Sequence, residues 1–420
     1  MIRLVLSLVL GLLLAAPSWG QMRAGGIRVG EQPALDLRFT ESLDSRISFT
    51  RASTATCFNS AGVLTTFASG AVRLPCYVYD GANWINHGFR IERSRVKHAL
   101  WSRDHTDATW VKTNMTTAQD ATGLDDTSNS ATTLTASAAN ATSLQTVTIS
   151  SAQFTFSVYV KRVTGTGDID ITDNNGSNWT TLTGLSTTVW TRHSVTRTQA
   201  NPVFGIRIVT DEDAVEVDFS ELEPGGFASS PSATTTATVT RAADVGSMEL
   251  SVFDFNVNEG TIYLEYSRSG SLGATRFLNF DDGTNDNRIT QLIDANRARF
   301  EVRASSTTTG STGDQSTFAI DTLIKVSTVY RADDIHLAQD GTLAGNPDTS
   351  VTLPSGLTTL QFDGLSDGSG RLFGHIARVT YWNRRLPDER LQDDTAFLEW
   401  IDGPMFADND NAEWQKAVGW

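Results

Sequence analysis

Charge is scarce in this chain of 420 residues, at 19% of side chains. It also leans one way, 48 acidic residues against 33 basic ones, for a net charge of −15. That balance argues against a nucleic-acid binder held by a basic surface, and by itself it names no partner. Cysteine is nearly absent. Cys57 and Cys76 are the only two, and neither has a cysteine or histidine at zinc-ligand spacing. Helical periodicity is almost missing before residue 385. The six histidines are scattered, with no pair at helical metal spacing. There is no G-x-x-x-x-G-K loop, so a phosphate cradle is not encoded.

What remains is a β protein. Short runs of Val, Ile, Phe and Thr alternate with polar residues and are separated by Gly, Asn and Asp. The expected fold class is all-β: two tandem β-sandwiches, a jelly roll then a concanavalin-like one, with a small N-terminal β region. Residues 1–20 have one positive charge, an apolar run from Leu4 to Ala16, and Ser18 and Gly20. They read as a signal peptide cleaved before Gln21, or as a hydrophobic anchor docking into an assembly. The run is short for a ~20-residue membrane span. Residues 21–34 read as a linker, 35–112 as the N-terminal β region, 113–244 as the jelly roll, 245–400 as the second sandwich and 401–420 as an acidic tail. The clearest strand is Phe154–Lys161, FTFSVYVK. Val215 to Asp244 marks the module boundary: an alternating strand, a Pro224-Gly225-Gly226 stop, a Ser/Thr run, and the exit Thr240-Arg241-Ala242-Ala243-Asp244.

Several residues suggest chemistry. Sugar binding needs aromatic faces beside hydrogen-bonding groups. Trp179, with Asn178 in a polar loop, is a candidate platform; Tyr159, Trp190 and Arg207 lie on strands and are candidates for a concave face, with core packing the other reading for the two aromatics. Asp281, Asp282 and Asn285 form an oxygen-rich turn, a calcium candidate or a solvated hairpin; no other cofactor is expected. The N-x-S/T sequons at Asn114, Asn140, Asn175 and Asn178 matter only in a eukaryotic host. Cys57 and Cys76 are candidates for a disulfide across a hairpin, or are buried thiols. Glu216-Val217-Asp218-Phe219-Ser220-Glu221 has an E-x-D-x-x-E spacing that resembles the catalytic strand of retaining β-glucanases. On a regular strand Glu216 and Asp218 face one side and Glu221 the other. A bulge is needed to bring Glu216 and Glu221 together as the two carboxylates of a glycosidase. The alternative is a solvated strand face.

Phe49-Thr50-Arg51-Ala52-Ser53-Thr54-Ala55-Thr56, followed by an Asn59-Ser60-Ala61-Gly62 turn, resembles the opening of a family of phage head-spike or tail-fibre proteins. Ile91-Glu92-Arg93-Ser94-Arg95, Ala99-Leu100-Trp101-Ser102, Leu222-Glu223-Pro224-Gly225, Phe227-Ala228-Ser229-Ser230 and Thr240–Asp244 follow that family's order. Gly374–Leu386 and the helix from Pro387 resemble the end of laminin-G-like domains. Two departures stand out: Lys97-His98 where the family has Thr-Asn, and Cys57 where it has Tyr, which favours a Cys57–Cys76 pair. The resemblance implies a virion spike or fibre subunit, a homo-oligomer that assembles with other virion proteins and binds bacterial surface polysaccharide, with no nucleic-acid partner. Alternatives are a secreted glycan hydrolase using Glu216 and Glu221, or an exported adhesin.

Overall fold

The computed structural model describes residues 32–396 except 41, 271, 272 and 314. The apolar segment 1–20, linker residues 21–31 and the tail 401–420 lie outside the described residues. The N-terminal stretch forms β1 (Leu35–Arg38), β2 (Ser48–Thr50), β3 (Ala55–Phe58), β4 (Leu64–Phe67), β5 (Cys76–Tyr79), β6 (Trp84–Ile91) and β7 (Arg95–Lys97). The middle forms β8 (Val111–Thr113), β9 (Met115–Ala121), β10 (Ala131–Ala136), β11 (Ala141–Thr146), β12 (Ala152–Thr164), β13 (Ile169–Thr172), β14 (Thr180–Thr181), β15 (Thr191–Gln199), β16 (Val203–Ile208) and β17 (Ala214–Pro224). The remainder forms β18 (Val239–Arg241), β19 (Val245–Glu249), β20 (Glu259–Arg268), β21 (Thr275–Asp281), β22 (Arg288–Asp294), β23 (Arg297–Ala304), β24 (Thr307–Ser311), β25 (Ile324–Arg331), β26 (Asp334–Gln339), β27 (Thr342–Leu343), β28 (Thr359–Gln361) and β29 (Gly374–Trp382), then a short helix α1 (Asp388–Thr395).

The all-β expectation holds, and every named strand pair is antiparallel. The middle strands make two five-stranded sheets, β15-β12-β17-β10-β9 and β14-β13-β16-β11-β8. Phe154, Phe156, Val158 and Val160 of β12 meet Ile169, Ile171, Phe204, Ile206 and Ile208 of the facing sheet in one core. This is the two-residue period of the sequence expressed as packing. Asn114, Asn140, Asn175 and Asn201 all have positive φ, between 48° and 58°. Asparagine tolerates that region better than most residues, so three of the four sequon asparagines serve as turn residues.

The region 35–112 does not stand apart as its own small unit. Strands β1 and β6 both pair with β29, so Leu35 lies opposite Tyr381 and Ile91 opposite Gly374. Strand β2 pairs with β19. The second sandwich is therefore a ten-stranded sheet, β27-β26-β25-β20-β29-β6-β5-β3-β4 with β1 also on β29, facing a seven-stranded sheet β2-β19-β28-β21-β22-β23-β24. Its core mixes Leu35, Leu37, Phe39, Phe89 and Ile91 with residues from beyond 245. The middle sandwich is thus an insertion between β6 and β19, entered and left through a two-stranded ribbon of β7 and β18.

Arg51, between β2 and β3, is buried and donates to the Asp244 carboxylate at 3.0 Å. Cys57 and Cys76 are joined as a disulfide with their Cα atoms 5.6 Å apart, tying β3 to β5.

Candidate functional site

The outer face of the sheet β14-β13-β16-β11-β8 holds a row of side chains in register: Thr181 opposite Asp170, Asp170 opposite Arg207, Arg207 opposite Thr142, Thr142 opposite Thr113. Alternation sends Ile206 and Ile208 into the core and Arg207 outward. Arg207 donates from Nε and Nη2 to Asp170 Oδ2, at 2.9 and 2.5 Å. Thr181 donates to the other carboxylate oxygen at 2.7 Å. The guanidinium carbon lies 4.4 Å from the ring centroid of half-buried Trp179, a cation–π contact. The loop carrying Trp179 is held from within: Thr172 Oγ1 donates to the Asn178 carbonyl, and Asn178 N donates to Asn174 Oδ1. Arg207 is therefore fixed on two sides, while its Nη1 makes no hydrogen bond among the described residues.

Trp179, Asn178 and Arg207 thus come together. Asp170 and Thr181 were not anticipated, although an acid inside Ile169-Asp170-Ile171 signals an outward carboxylate. Tyr159 and Trp190 do not join them. Tyr159 lies on the outer face of the other sheet, buried beside Phe58, Leu64 and Phe219, and Trp190, which precedes β15 rather than lying on a strand, packs against the same cluster. Phe58 belongs to the second sandwich, 6.2 Å from Tyr159 between ring centroids. Arg192 covers the Tyr159 ring at 5.1 Å and Lys161 the Trp190 ring at 4.9 Å. Concave-face roles for these two rings are therefore replaced by packing between the sandwiches.

The acidic strand has the bulge that its spacing called for. Tyr159 lies opposite Asp218 but Ser157 opposite Glu221, and Phe219 takes a φ of 45°. The bulge turns Glu221 and Glu223 to the same face as Glu216 and Asp218. That face is covered, not open. Glu221 is fully buried and accepts from Lys97, Arg192 and the Ser232 N–H at 3.0, 3.0 and 2.6 Å. Burial pushes its carboxyl above the ordinary range, as an acid catalyst would require, but no solvent reaches it. Asp218 is buried beneath Arg103 rather than facing water. Glu216 pairs with Lys161 at 2.5 Å.

The family-like motifs converge on a second charged cluster alongside. Glu92 and Asp244 are fully buried among Arg51, Arg73 and Arg241, with Arg90 at the margin. Burial alone would raise the Glu92 carboxyl, but Arg241, Arg90 and Arg73 outweigh it and hold it well below the usual carboxylate range. Ser230 N–H and Oγ also donate to Glu92, at 3.0 and 2.5 Å. Lys97 touches Glu221, Glu223 and Ser229 within 3.1 Å. The RASTAT arginine, the Ile-Glu glutamate, the Ser-Ser turn and the Arg-Ala-Ala-Asp exit are therefore one buried joint between the sandwiches.

The Asp281 turn is satisfied internally. Asp281 accepts from Gly283 N and Asn279, Asp282 from Thr284 and Asn287, and Asn285 donates to Asp367. Among the described residues, metal-ligating atoms of three residues converge only at Cys57, Cys76 and His375, where the two sulfurs are bonded to each other.

No protein-family profile matches the chain, and no curated protein matches it in sequence. Solved structures resemble about a third of it. The Ruminococcus gnavus IT-sialidase CBM40 bound to alpha2,3 sialyllactose is 16% identical, over 34% of this chain and 84% of that one, at a TM-score of 0.31. The NanB sialidase from Streptococcus pneumoniae is 10% identical over 35% of this chain and 26% of its own, at a TM-score of 0.30. The leech intramolecular trans-sialidase is 15% identical over 35% of this chain and 25% of its own, at 0.27. Likeness at this level assigns no residue a role.

Proposed function

We propose that this chain is a glycan-binding structural protein, a spike- or fibre-type subunit whose inserted sandwich attaches to bacterial surface polysaccharide. The observation that carries the reading is Arg207, clamped by Asp170 and stacked on Trp179, with Nη1 left open on an outward sheet face. A rigid donor beside an indole, rimmed by Thr142, Thr181 and Asn178, suits a sugar ring with its hydroxyl groups. Homo-oligomerisation would multiply a weak single site, and other virion proteins would anchor the assembly. An exported adhesin would use the same face.

The direct test is Trp179→Ala on a bacterial glycan array, with thermal unfolding in parallel. The expected result is an about 10-fold or greater loss of binding, ~1.4 kcal/mol, with an unchanged unfolding midpoint. Unchanged binding overturns the reading. Incubation with capsular polysaccharide should give retention without new reducing ends. Reducing ends that disappear in Glu216→Gln would move the chain to the hydrolases. Recovery with virus particles, rather than from the culture medium, separates a virion subunit from an adhesin.

A further inference from the structure

We propose that the ligand is an extended, uncharged polysaccharide whose second contact is a cleft formed by His98 and three threonines at the β8 edge of the Arg207 face. This rests on the glycan-binding reading above and adds a second subsite and a ligand class to it.

The cleft has a volume of about 430 Å³, and Leu100, Val111 and Val147 supply apolar wall. Val111 lies opposite Leu144 on β11, two residues along from the Thr113–Thr142–Arg207 row. The two-residue period therefore places Val111 and Thr146 on the same outward face as Arg207, and Val111 is 65% exposed. Of the four threonines that border the space, Thr109 donates to Asp107, while the hydroxyls of Thr146, Thr148 and Thr238 have no side-chain partner among the described residues. His98 stands edge-on to Phe154, 6.1 Å between ring centroids. Neither ring nitrogen is hydrogen-bonded among the described residues. Burial lowers its pKa, so near neutral pH it offers one donor and one acceptor, the complement of a sugar hydroxyl.

Three observations select an uncharged ligand. No charged side chain lines the cleft. The positive charge of Arg207 is matched by Asp170 at 2.5 Å. The chain carries a net −15, which repels a polyanion at long range. The distance selects a polymer. Two strand spacings separate β16 from β8, ~10 Å, and two residues along the strand add ~7 Å. A single sugar ring cannot fill both places, and a linear oligosaccharide can.

The experiment titrates the full chain by calorimetry with malto-, cello- and manno-oligosaccharides from disaccharide to hexasaccharide, with oligogalacturonate as the acidic comparator. For at least one neutral series, affinity should rise about 10-fold or more with length, as a second contact becomes intramolecular. His98→Ala, and separately the exposed Thr146→Val, should return the hexasaccharide to disaccharide affinity. The His98 imidazole resonances should shift saturably with the long ligand. Affinity that is flat with length, or preference for oligogalacturonate, overturns the inference. If Trp179→Ala abolishes hexasaccharide binding and both cleft variants leave it intact, the cleft is lost and the glycan-binding reading survives. Absence of binding to every series, together with a silent glycan array, removes both.

Discussion

Phe219 has a φ of 45°, and Asp218 Oδ1 accepts its backbone N–H at 2.9 Å. Such a backbone is uncommon for a bulky residue and needs surrounding structure to hold it. Here Arg103 stacks on the Phe219 ring at 4.6 Å while bonding Asp218. Without the bulge, Glu221 and Glu223 would point into the apolar core; with it they meet Lys97, and Ser220 turns inward instead. The acidic spacing was legible in the sequence, but the single extra residue that determines its meaning was not, because nothing local distinguishes Phe219 from a regular strand residue. The inward Ser220 bonds His105 Nε2 at 2.8 Å, and Ser143 bonds Nδ1 at 2.9 Å. The ring is stacked on Trp110 at 3.7 Å. Burial, with a smaller contribution from Lys112, pulls the His105 pKa down to about 3. The folded protein therefore keeps this imidazole neutral while the unfolded chain takes up a proton below about pH 6.5. Stability from this group is complete above that pH and falls by up to roughly 1.4 kcal/mol per pH unit below it. The stability advantage of the wild type over His105→Phe, measured by urea unfolding, should shrink between pH 7 and pH 4. A constant difference rules out this linkage.

Among the elements, the alternating run Phe154–Lys161 was readable as a strand and lies within β12. What was not readable was which outer faces are covered. Strand β17 is buried at nine of its eleven positions, so its carboxylates lie under another layer rather than in water. Lys97 shows why the covering layer escaped notice. It sits in the three-residue ribbon strand β7, where a lysine normally signals exposure. Its partners are 124 and 126 residues away. Its side chain is fully buried, and among the described residues it is the one lysine in contact with both Glu221 and Glu223. Lys97→Met keeps the length and removes the charge, leaving two carboxylates crowded together, with Arg192 and Arg95 at the edges. Removing one partner from a buried ionic group costs about 3–5 kcal/mol. A loss of that size in chemical denaturation is expected, largely recovered in Lys97→Met combined with Glu221→Gln. A change under about 0.5 kcal/mol, ordinary for a surface site, would show that the ribbon is not held by this lysine.

At the scale of the whole molecule, the insertion was invisible because its proof lies in pairings such as Leu35 with Tyr381, and no window of sequence spans them. The boundary motifs were recognised, but their convergence was not. Glu92 ends the first pass of the chain through the second sandwich and Asp244 begins the next, and the Glu92 N–H donates to Asp244 at 2.9 Å. Arg73 bridges the two carboxylates from the β4–β5 connection, and Thr56 reaches across to the Pro231 carbonyl at 2.6 Å. Each sandwich has its own apolar core, so each has the means to unfold separately. The joint between them is polar and buried, and a charge left unpaired there is costly. Heat should therefore unfold the native chain as one unit, with the joint passing the loss of one sandwich to the other. Asp244→Asn removes the carboxylate shared by Arg51 and Arg73 while keeping the side chain's shape. The second sandwich should then melt first, about 3–5 kcal/mol weaker, while the inserted sandwich keeps its midpoint. Differential scanning calorimetry would show one transition in the wild type and two in the variant. Two transitions already present in the wild type would mean that the sandwiches unfold independently, whereas one undivided transition in Asp244→Asn at an unchanged temperature would mean that their apolar contact at Phe58, Tyr159 and Phe219, and not the charged joint, carries the coupling.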